Sequence, residues 1–258
     1  LKMVTYLLKK SYQHKTLKEV NFKVLWGDIG VFTTMRIIGK PVKILFFKNH
    51  IKNLVKSLKI YKLNRINIEK DIYKLIKLNI DKNKSYNHLL RVAVNKKIIS
   101  ISLRDRKTPK LRFNLKLINH KRTDPEIKNL KYKLILKYLS KMNNTTSDVG
   151  LCYQNNILES GTSNILLIKK NKIYSPSKNI YKGVTYNFFK KKLAKIYNKE
   201  IKINTLADYD EILLIGSGKG VTSVESINKI KWKRKNLKYY KILSNFYKKE
   251  ILNCPVYK

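Results

Sequence analysis

The sequence predicts a fold that combines α-helices with β-strands, and three observations support this class. Apolar residues recur at three- and four-residue steps in Ile68 to Leu78 and in Leu237 to Leu252, which is typical of amphipathic helices. Leu90 to Val94 and Ile98 to Leu103 are short apolar runs around a polar turn, which predicts a β-hairpin. A charged stretch with a proline, Arg104 to Lys110, is the best linker candidate, so the 258 residues form either one large domain or two smaller ones.

The composition is that of a globular protein with an extreme positive charge. Hydrophobic residues make up 43% of the chain, and 58 basic residues against 16 acidic ones give a net charge of +42. Such a charge would ordinarily indicate a nucleic-acid partner. However, the lysines are spread along the whole chain, and Asn, Ile and Tyr are abundant too, which is typical of an AT-rich genome. We therefore expect a solvated charged surface and no nucleic-acid partner.

Several functional classes are disfavoured by what the sequence lacks. Two cysteines, Cys152 and Cys254, and four scattered histidines form neither a metal-type spacing nor a disulfide framework. No apolar run approaches the roughly 18 residues that span a bilayer, and no signal-peptide pattern opens the chain. We therefore expect a cytoplasmic protein with no metal and no membrane partner. Because the chain begins at Leu1, an unusual start codon or a missing N-terminal segment stays open.

One lysine, Lys128, stands beside the start of a helical pattern. Apolar residues follow it at three- and four-residue steps: Leu130, Leu134, Ile135, Tyr138, Leu139 and Met142. The pattern predicts a helix that begins next to Lys128 and leaves this residue on a different face. An amine in a partly buried pocket can have its pKa lowered, and the uncharged amine is the nucleophile that forms an imine. Because lysine is so abundant here, position alone favours an ordinary exposed residue.

A scarce acidic residue, Glu159, ends a predicted strand that runs from Ile157 to Glu159. It is followed by Ser160 and Gly161, and a carboxylate with these neighbours is notable in a chain with so few acids. The simpler interpretation is a strand-end glutamate in a surface ion pair.

Two segments suit an anion such as phosphate. Gly183 to Thr185 precede a predicted helix whose apolar residues are Phe188, Phe189, Leu193 and Ile196, and a helix N-terminus offers N–H groups and partial positive charge. Thr185 can add a hydroxyl, although it can equally be an ordinary N-cap. Gly216 to Gly220 follow a predicted strand, Glu211 to Ile215, and glycines let the backbone approach an anion. Alone this second segment is a weak signal, because the Walker spacing is absent.

Taken in order, these segments resemble those of the class IV aminotransferase family of pyridoxal-phosphate enzymes. That family carries a lysine shortly before a helix, then T/S-E-G-x-x-x-N, then a G-I/V-T turn, and Lys128, Glu159 and Gly183 to Thr185 match these points. Its G-D-G-x-F-E/T-T-x-R and H-x-x-R-L motifs are similar to WGDIGVFTTMR and HIKNL. The matching residues are Asp28, Gly30, Phe32, Thr33, Thr34, Arg36, Gly39, Lys40, His50 and Leu54. The resemblance runs from Trp26 to Ile227.

The resemblance implies a fold-type IV pyridoxal-phosphate enzyme of the α+β (α/β) class. Its small N-terminal α/β domain would comprise residues 1–106, and its larger C-terminal α+β domain, with the cofactor lysine, residues 111–258, joined by a linker near 104–110. In this family pyridoxal 5′-phosphate lies between the two domains, the substrates are small-molecule amines, and homodimers are common.

The resemblance also assigns roles to individual residues. Lys128 would hold the cofactor covalently and shuttle protons, and Glu159 would keep the pyridine nitrogen protonated so that the ring acts as an electron sink. The cofactor-binding residues that it implies are Glu159, Val184, Thr185, Ser217, Gly218 and Asn53. Of these, Val184, Thr185 and Ser217 would hold the phosphate, and Gly218 would face the substrate carboxylate. The substrate-binding candidates are Thr33 and Arg91, although a structural role explains Arg91 equally well.

The main departure from the family is Asn53, which replaces the arginine of H-x-x-R-L. In the family this arginine clamps the cofactor phosphate, and an amide cannot replace a bidentate guanidinium. Lys52, Lys56 and Lys219 are the candidate replacements for the missing charge. A degenerate relative that no longer binds the cofactor therefore stays an alternative.

The Phe32-Thr33-Thr34 sequence is most similar to aminodeoxychorismate lyase, because aminotransferases of the family more often carry glutamate after the aromatic residue. The resemblance thus implies conversion of 4-amino-4-deoxychorismate to 4-aminobenzoate and pyruvate, a step in folate biosynthesis. The first alternative is an aminotransferase for branched-chain or D-amino acids. A cofactor-free relative and a basic nucleic-acid-binding protein are the remaining ones.

Overall fold

The computed structural model describes residues 5–228 and 230–257, and these divide into two compact units. The first unit runs to Arg106 and also takes Ile127–Lys133 and the residues from Cys254 onward, while the second comprises Lys107–Glu126 and Leu134–Asn253. The first break thus falls within the linker candidate. The second unit differs from the domain at 111–258 that the sequence suggests, because the segment with Lys128 and the C-terminal residues belong to the first.

The first unit is a six-stranded sheet with two helices. Its strands are β1 (Tyr6–Gln13), β2 (Glu19–Val20), β3 (Gly30–Gly39), β4 (Lys43–Ile44), β5 (Tyr86–Asn95) and β6 (Ile98–Asp105), in the order β2-β1-β6-β5-β3-β4. Its helices are α1 (Phe47–Ile60) and α2 (Ile68–Asn79). The predicted hairpin is confirmed by the antiparallel pairing of β5 with β6, and the predicted helix from Ile68 is α2.

Alternation along the central strands of this sheet places its core. On β3, Val31 and Met35 are fully buried, and Leu90 and Val92 on β5 join them in one cluster with the apolar faces of α1 and α2. Successive residues of a strand point to opposite faces, so Phe32 lies on the other side of the sheet, in a separate cluster. The functional candidates on β3 are thereby divided between two faces.

The segment that carries Lys128 is extended, and the helix predicted to begin beside it was placed too early. The Phe32 N–H donates to the Lys128 carbonyl at 2.9 Å, and the Leu130 N–H donates to the Gly30 carbonyl at 2.9 Å. These bonds pair the segment with the start of β3 in antiparallel fashion. Helix α3 begins only afterwards and spans Lys133–Leu139, so the backbone groups near Lys128 are committed to a strand. Leu134 and Tyr138, expected on the buried stripe, are 45% and 36% exposed.

The second unit contains two five-stranded sheets. One holds β7 (Asn114–Asn119), β8 (Ser147–Tyr153), β9 (Asn156–Ser160), β15 (Ser226–Ile227) and β16 (Trp232–Lys233), in the order β16-β15-β7-β8-β9. The other holds β10 (Asn164–Lys169), β11 (Lys172–Pro176), β12 (Ile196–Lys199), β13 (Glu211–Gly216) and β14 (Gly220–Ser223), in the order β12-β11-β10-β13-β14. Helix α4 spans Val184–Lys192, a 3₁₀ helix spans Ile203–Asp208, and α5 spans Lys238–Leu252.

The strands of this unit follow the sequence pattern more closely than its helix α4 does. The strands predicted from Ile157 and from Glu211 are confirmed as parts of β9 and β13, and β8–β9 and β10–β11 are antiparallel hairpins. Helix α4 stops at Lys192, and Ile196, expected on its apolar face, lies in β12 because that strand pairs in parallel with β11. Residues 220–227 are divided between the two sheets, since β14 pairs with β13 and β15 pairs with β7.

Apolar residues of the two sheets form the core of this unit. Leu115 and Leu117 of β7 share one buried cluster with Ile165 and Leu167 of β10, and with Ile212 of β13. This packing fixes the ends of β9 and β13, from which the candidate cofactor residues project. Within the described ranges, no helix combines the length and apolar character needed to cross a bilayer.

Candidate active site

Lys128 is held in place by its backbone, beside an aromatic ring. It is half-buried, its carbonyl accepts the Phe32 N–H, and its Nζ lies 5.1 Å from the centroid of the Phe32 ring. A cation over a ring face is attracted by the ring quadrupole. The strand pairing therefore points this lysine at Phe32, which sets it apart from the many lysines that only face solvent.

Three aromatic rings and one arginine surround the same place in the first unit. The Phe32 ring centroid lies 4.8 Å from that of Trp26 and 5.5 Å from that of Tyr132, and we call these three residues the aromatic cluster. The Arg91 guanidinium lies 4.6 Å from the Trp26 ring centroid. Arg91 is 8% exposed, and its Nε has no hydrogen-bond partner among the described residues. A buried guanidinium with an unused donor is suited to an anionic ligand.

A buried histidine lies on the helix-facing side of β3. The Thr33 Oγ1 and the His50 Nδ1 are 2.8 Å apart, and both side chains are buried. Burial lowers the pKa of His50 to about 3, and the nearby charge of Lys128 acts in the same direction. His50 is therefore neutral at neutral pH. Because the Thr33 hydroxyl contacts His50, direct contact between Thr33 and substrate stays a prediction.

Asn53 lies one turn after His50 on α1 and is half-buried. Its neighbours Lys52 and Lys56, two candidate replacements for the missing arginine, are both exposed. Helix α1 thus carries its cations on the solvent side, and the position of the family arginine holds an uncharged amide.

In the second unit, Glu159 lies on β9 in a buried ion pair. The Arg122 Nε donates to the Glu159 Oε1 at 2.6 Å, and the two side chains are only 2% and 7% exposed. The Tyr181 N–H donates to the Glu159 Oε2 at 3.3 Å. The sequence left open that Glu159 forms an ion pair at the surface. Glu159 does form an ion pair, but that pair is buried. Sequence reasoning missed Arg122, since nothing distinguishes it from the other basic residues until the fold is known.

The start of α4 offers phosphate-binding groups, with Gly183 rather than Thr185 at the N-cap. Gly183 is extended, no side chain caps the helix, and its first turn contains no acidic residue. Thr185 is buried in that first turn, and its Oγ1 lies 3.4 Å from the Ser217 Oγ. A helix N-terminus with two hydroxyls at one point is suited to a phosphate. The Asn164 side chain fixes the approach to the helix, because its Oδ1 accepts the Gly183 N–H at 3.0 Å.

The turn after β13, which carries Ser217, Gly218 and Lys219, is held by a buried acid. The Lys219 Nζ lies 3.6 Å from the Asp148 Oδ2, and Asp148 is fully buried. Asp148 also accepts hydrogen bonds from the Ser160 Oγ at 3.0 Å and the Thr162 Oγ1 at 2.7 Å. Asp148 therefore ties the residues after Glu159 to the turn of Ser217. The charge of Lys219, the third candidate replacement, is balanced by this carboxylate.

The predicted cofactor residues are distributed over both units. Lys128, Asn53, Thr33 and Arg91 belong to the first unit, and Glu159, Val184, Thr185, Ser217 and Gly218 to the second. In the second unit one short segment connects the carboxylate to the hydroxyls, because the Tyr181 N–H bonds Glu159 and the Tyr181 carbonyl accepts from Asn164 at 2.6 Å. A carboxylate for a ring nitrogen and uncapped helix donors for a phosphate are the groups that pyridoxal phosphate requires, so these residues fit the cofactor.

Comparison with known structures shows which solved structures share this fold. The branched-chain aminotransferase of the thermophilic archaeon Thermoproteus uzoniensis superposes with a TM-score of 0.78 at 15% identity, over 95% of both chains. A candidate 4-amino-4-deoxychorismate lyase of Legionella pneumophila gives 0.71 at 17% identity, over 86% of this chain and 91% of the other. A hypothetical aminotransferase of Mycobacterium tuberculosis with bound pyridoxal phosphate gives 0.67 at 14% identity, over 95% and 99%. These likenesses confirm the predicted fold-type IV architecture.

The sequence itself provides the assignment to a family. None of the curated protein sequences matches the chain. The family model for amino-transferase class IV, however, matches residues 30–227, which is well over half of the chain. The chain therefore belongs to the class IV aminotransferase family, whose members are pyridoxal-phosphate-dependent enzymes that act on small-molecule amino substrates.

Proposed function

We propose that this protein is an aminodeoxychorismate lyase, which converts 4-amino-4-deoxychorismate to 4-aminobenzoate and pyruvate. The observation that carries this choice is the aromatic cluster with Arg91 beside it. The substrate is a carboxylated cyclohexadiene ring that becomes flat and aromatic in the product. Ring faces and a buried guanidinium with an unused donor are complementary to such a ring and to its carboxylate.

A second observation supports the same choice. Aminotransferases of this family more often carry a glutamate at the position of Thr33. Here the buried hydroxyl of Thr33 contacts the neutral imidazole of His50, so the residue that follows Phe32 on β3 carries no negative charge. The uncharged Thr33–His50 pair places no negative charge on the face of β3 opposite the aromatic cluster, which suits a substrate that carries two carboxylates.

In this proposal the cofactor residues have separate tasks. Lys128 would hold the cofactor covalently through Nζ, and would serve as general acid and base during elimination and aromatisation. Glu159 keeps the pyridine nitrogen protonated, and the bound cofactor supplies an electron sink. The Val184 N–H, Thr185 and Ser217 bind the phosphate. No oxidant is needed, because the ring loses one proton as the enolpyruvyl group leaves, and the enolpyruvate takes up a proton to become pyruvate.

The alternative is an aminotransferase for branched-chain or D-amino acids. The observation that favours it is the likeness to the Thermoproteus branched-chain aminotransferase, with a TM-score of 0.78. Lys128 would then move a proton between the substrate α-carbon and the cofactor, with the same groups holding the phosphate and the ring nitrogen. Both activities therefore need the same cofactor residues, and only the products distinguish them.

The test is a product assay on the purified protein with saturating pyridoxal phosphate. With 4-amino-4-deoxychorismate, we expect equal amounts of 4-aminobenzoate and pyruvate, and Lys128→Ala should abolish both. Lys131→Ala is the matched control, since Lys131 is an exposed lysine of the same segment and should leave the rate unchanged. Exchange of an amino group between branched-chain or D-amino acids and a keto acid, with no 4-aminobenzoate, would contradict the lyase and establish the alternative.

We also propose that the protein is a homodimer, as the family resemblance implies. Light scattering after size-exclusion chromatography should give twice the chain mass of 30.5 kDa. A mass equal to one chain at micromolar concentration would contradict the dimer.

A further inference from the structure

Arg122 is a buried cation in contact with Glu159 that no motif of the sequence singles out. We propose that Arg122 is a positioning residue, which holds the Glu159 carboxylate oriented and ionised so that the proton between Glu159 and the cofactor stays on the pyridine nitrogen. This inference rests on the proposed function, because it takes Glu159 as the partner of that nitrogen.

The geometry fixes the guanidinium on two sides. Its Nε donates to the Glu159 Oε1 at 2.6 Å, and its Nη2 donates to the carbonyl of Pro125 in its own loop. Arg122 therefore contacts both the strand that carries Glu159 and the segment that follows Arg122 in the chain. A charge-assisted hydrogen bond of this length, made from an anchored donor, leaves the carboxylate little rotational freedom.

The second carboxylate oxygen is oriented by the backbone. The Glu159 Oε2 accepts the Tyr181 N–H at 3.3 Å, and the Tyr181 segment leads into Gly183 at the start of α4. With Arg122 on one oxygen and Tyr181 on the other, the plane of the carboxylate is set relative to the predicted phosphate ligands. Each carboxylate oxygen can accept more than one hydrogen bond, so this arrangement is compatible with a further donor.

The charge of Arg122 decides where a shared proton resides. A buried carboxylate without a cation favours its neutral form, because desolvation penalises the charge. Beside a protonated pyridine, Glu159 could therefore take the proton and leave two neutral groups. Arg122 opposes this transfer, since its guanidinium contacts the carboxylate directly and stabilises the ionised form. An electron sink requires the protonated ring, and Arg122 would thus act on the cofactor through Glu159.

The experiment follows the ring nitrogen itself. Protein reconstituted with pyridoxal phosphate labelled with ¹⁵N in the ring is compared by NMR for wild type, Arg122→Gln and Arg122→Lys. Glutamine can still donate a hydrogen bond but has no charge, and lysine keeps the charge with different geometry. Arg112→Met is the matched control, because Arg112 is an exposed arginine of the same unit. Circular dichroism and thermal unfolding monitor the fold, and titration gives the affinity for the cofactor.

We expect the protonated-pyridine shift in wild type, Arg112→Met and Arg122→Lys. In Arg122→Gln the signal should move most of the way to the unprotonated reference compound, with about tenfold weaker cofactor binding. A folded Arg122→Gln that keeps the protonated shift would overturn the inference while the proposed function stands. If Arg122→Gln does not fold, Arg122→Lys decides, since an unprotonated ring despite the retained charge would overturn it. Wild type that binds no cofactor would overturn the proposed function and this inference with it.

Discussion

The start of α4 and the middle of α1 are the two regions where the sequence predicts phosphate ligands, and they are built differently. At α4 an uncapped helix N-terminus brings Thr185 to within 3.4 Å of Ser217, with both hydroxyl oxygens in one place. On α1 the position of the family arginine is the half-buried amide of Asn53, and the neighbouring lysines are exposed. We therefore propose that this protein binds the cofactor phosphate through uncharged donors and a helix dipole, with less help from a cation than the family pattern implies.

The largest effect on cofactor binding is expected when the hydroxyls at the start of α4 are removed. Thr185→Val combined with Ser217→Ala should weaken cofactor binding by about 100-fold or more, because each hydrogen bond to a charged group contributes roughly 1.5–3 kcal/mol. Absorbance titration with pyridoxal phosphate measures the affinity. Thr205→Val is the control, since Thr205 is a half-buried threonine of the 3₁₀ helix in the same unit. An unchanged dissociation constant for the double variant would show that α4 is not the phosphate site.

The α4 region also depends on the buried acid that holds its neighbouring turn. Asp148→Asn should lower the free energy of unfolding by about 3 kcal/mol, because it removes the buried carboxylate that contacts the Lys219 ammonium. Adding Lys219→Met should restore part of this loss. Urea unfolding measures both values.

The surface ion pair of Lys169 with Asp208 provides the control for the substitutions of Asp148 and Lys219. Asp208→Asn should cost about 1 kcal/mol or less, because exposed ion pairs contribute little. If Asp148→Asn is equally mild, or if the second substitution restores nothing, Asp148 does not anchor the turn.

On the α1 side, His50 should make the fold sensitive to acid. The pKa of His50 is lowered to about 3, against about 6.5 for an unfolded chain, so the unfolded state binds a proton first as the pH falls. Stability should therefore decrease from about pH 7 downwards, by about 2 kcal/mol between pH 7 and pH 5 from this residue alone. In His50→Gln this part of the loss should vanish, as measured by urea unfolding at both pH values. Equal losses in the two proteins would contradict a buried neutral His50.

The smallest effect is expected from a substitution on α1 that adds a cation at the position of the family arginine. Asn53→Arg restores the family arginine and should tighten cofactor binding about tenfold, because a bidentate guanidinium replaces an amide. Lys56→Arg is the matched control, since it changes an exposed cation of the same helix and should have no effect. If Asn53→Arg binds the cofactor no better than wild type, this position does not approach the phosphate.

The sequence predicted local features of the fold well, and missed those that depend on distant partners. The helix from Ile68 and the hairpin across residues 95–97 were predictable because periodicity and turn residues are local signals. The extended backbone of Lys128 was not, because its partner strand β3 lies far earlier in the chain. The early end of α4 has the same cause, since Ile196 pairs with a neighbouring strand instead of continuing a helix.

The candidate site shows the same division. The order of segments was enough to identify the family, because glycines and an acid at fixed positions can be recognised in the sequence without the structure. Arg122 was invisible among so many basic residues, and only its burial against Glu159 distinguishes it. Lys219 was predictable as a cation beside the turn, but its partner Asp148 becomes evident only when β8 is placed beside β9.

The central claim is that Lys128 attaches pyridoxal phosphate in a protein that has lost the family arginine. The most direct test is to saturate the protein with the cofactor, record its visible absorbance, reduce it with borohydride and map the modified lysine by mass spectrometry. We expect an absorbance band of bound cofactor and a single label on Lys128, with no label in Lys128→Ala. The absence of any band at saturating cofactor, or a label spread over surface lysines, would contradict it.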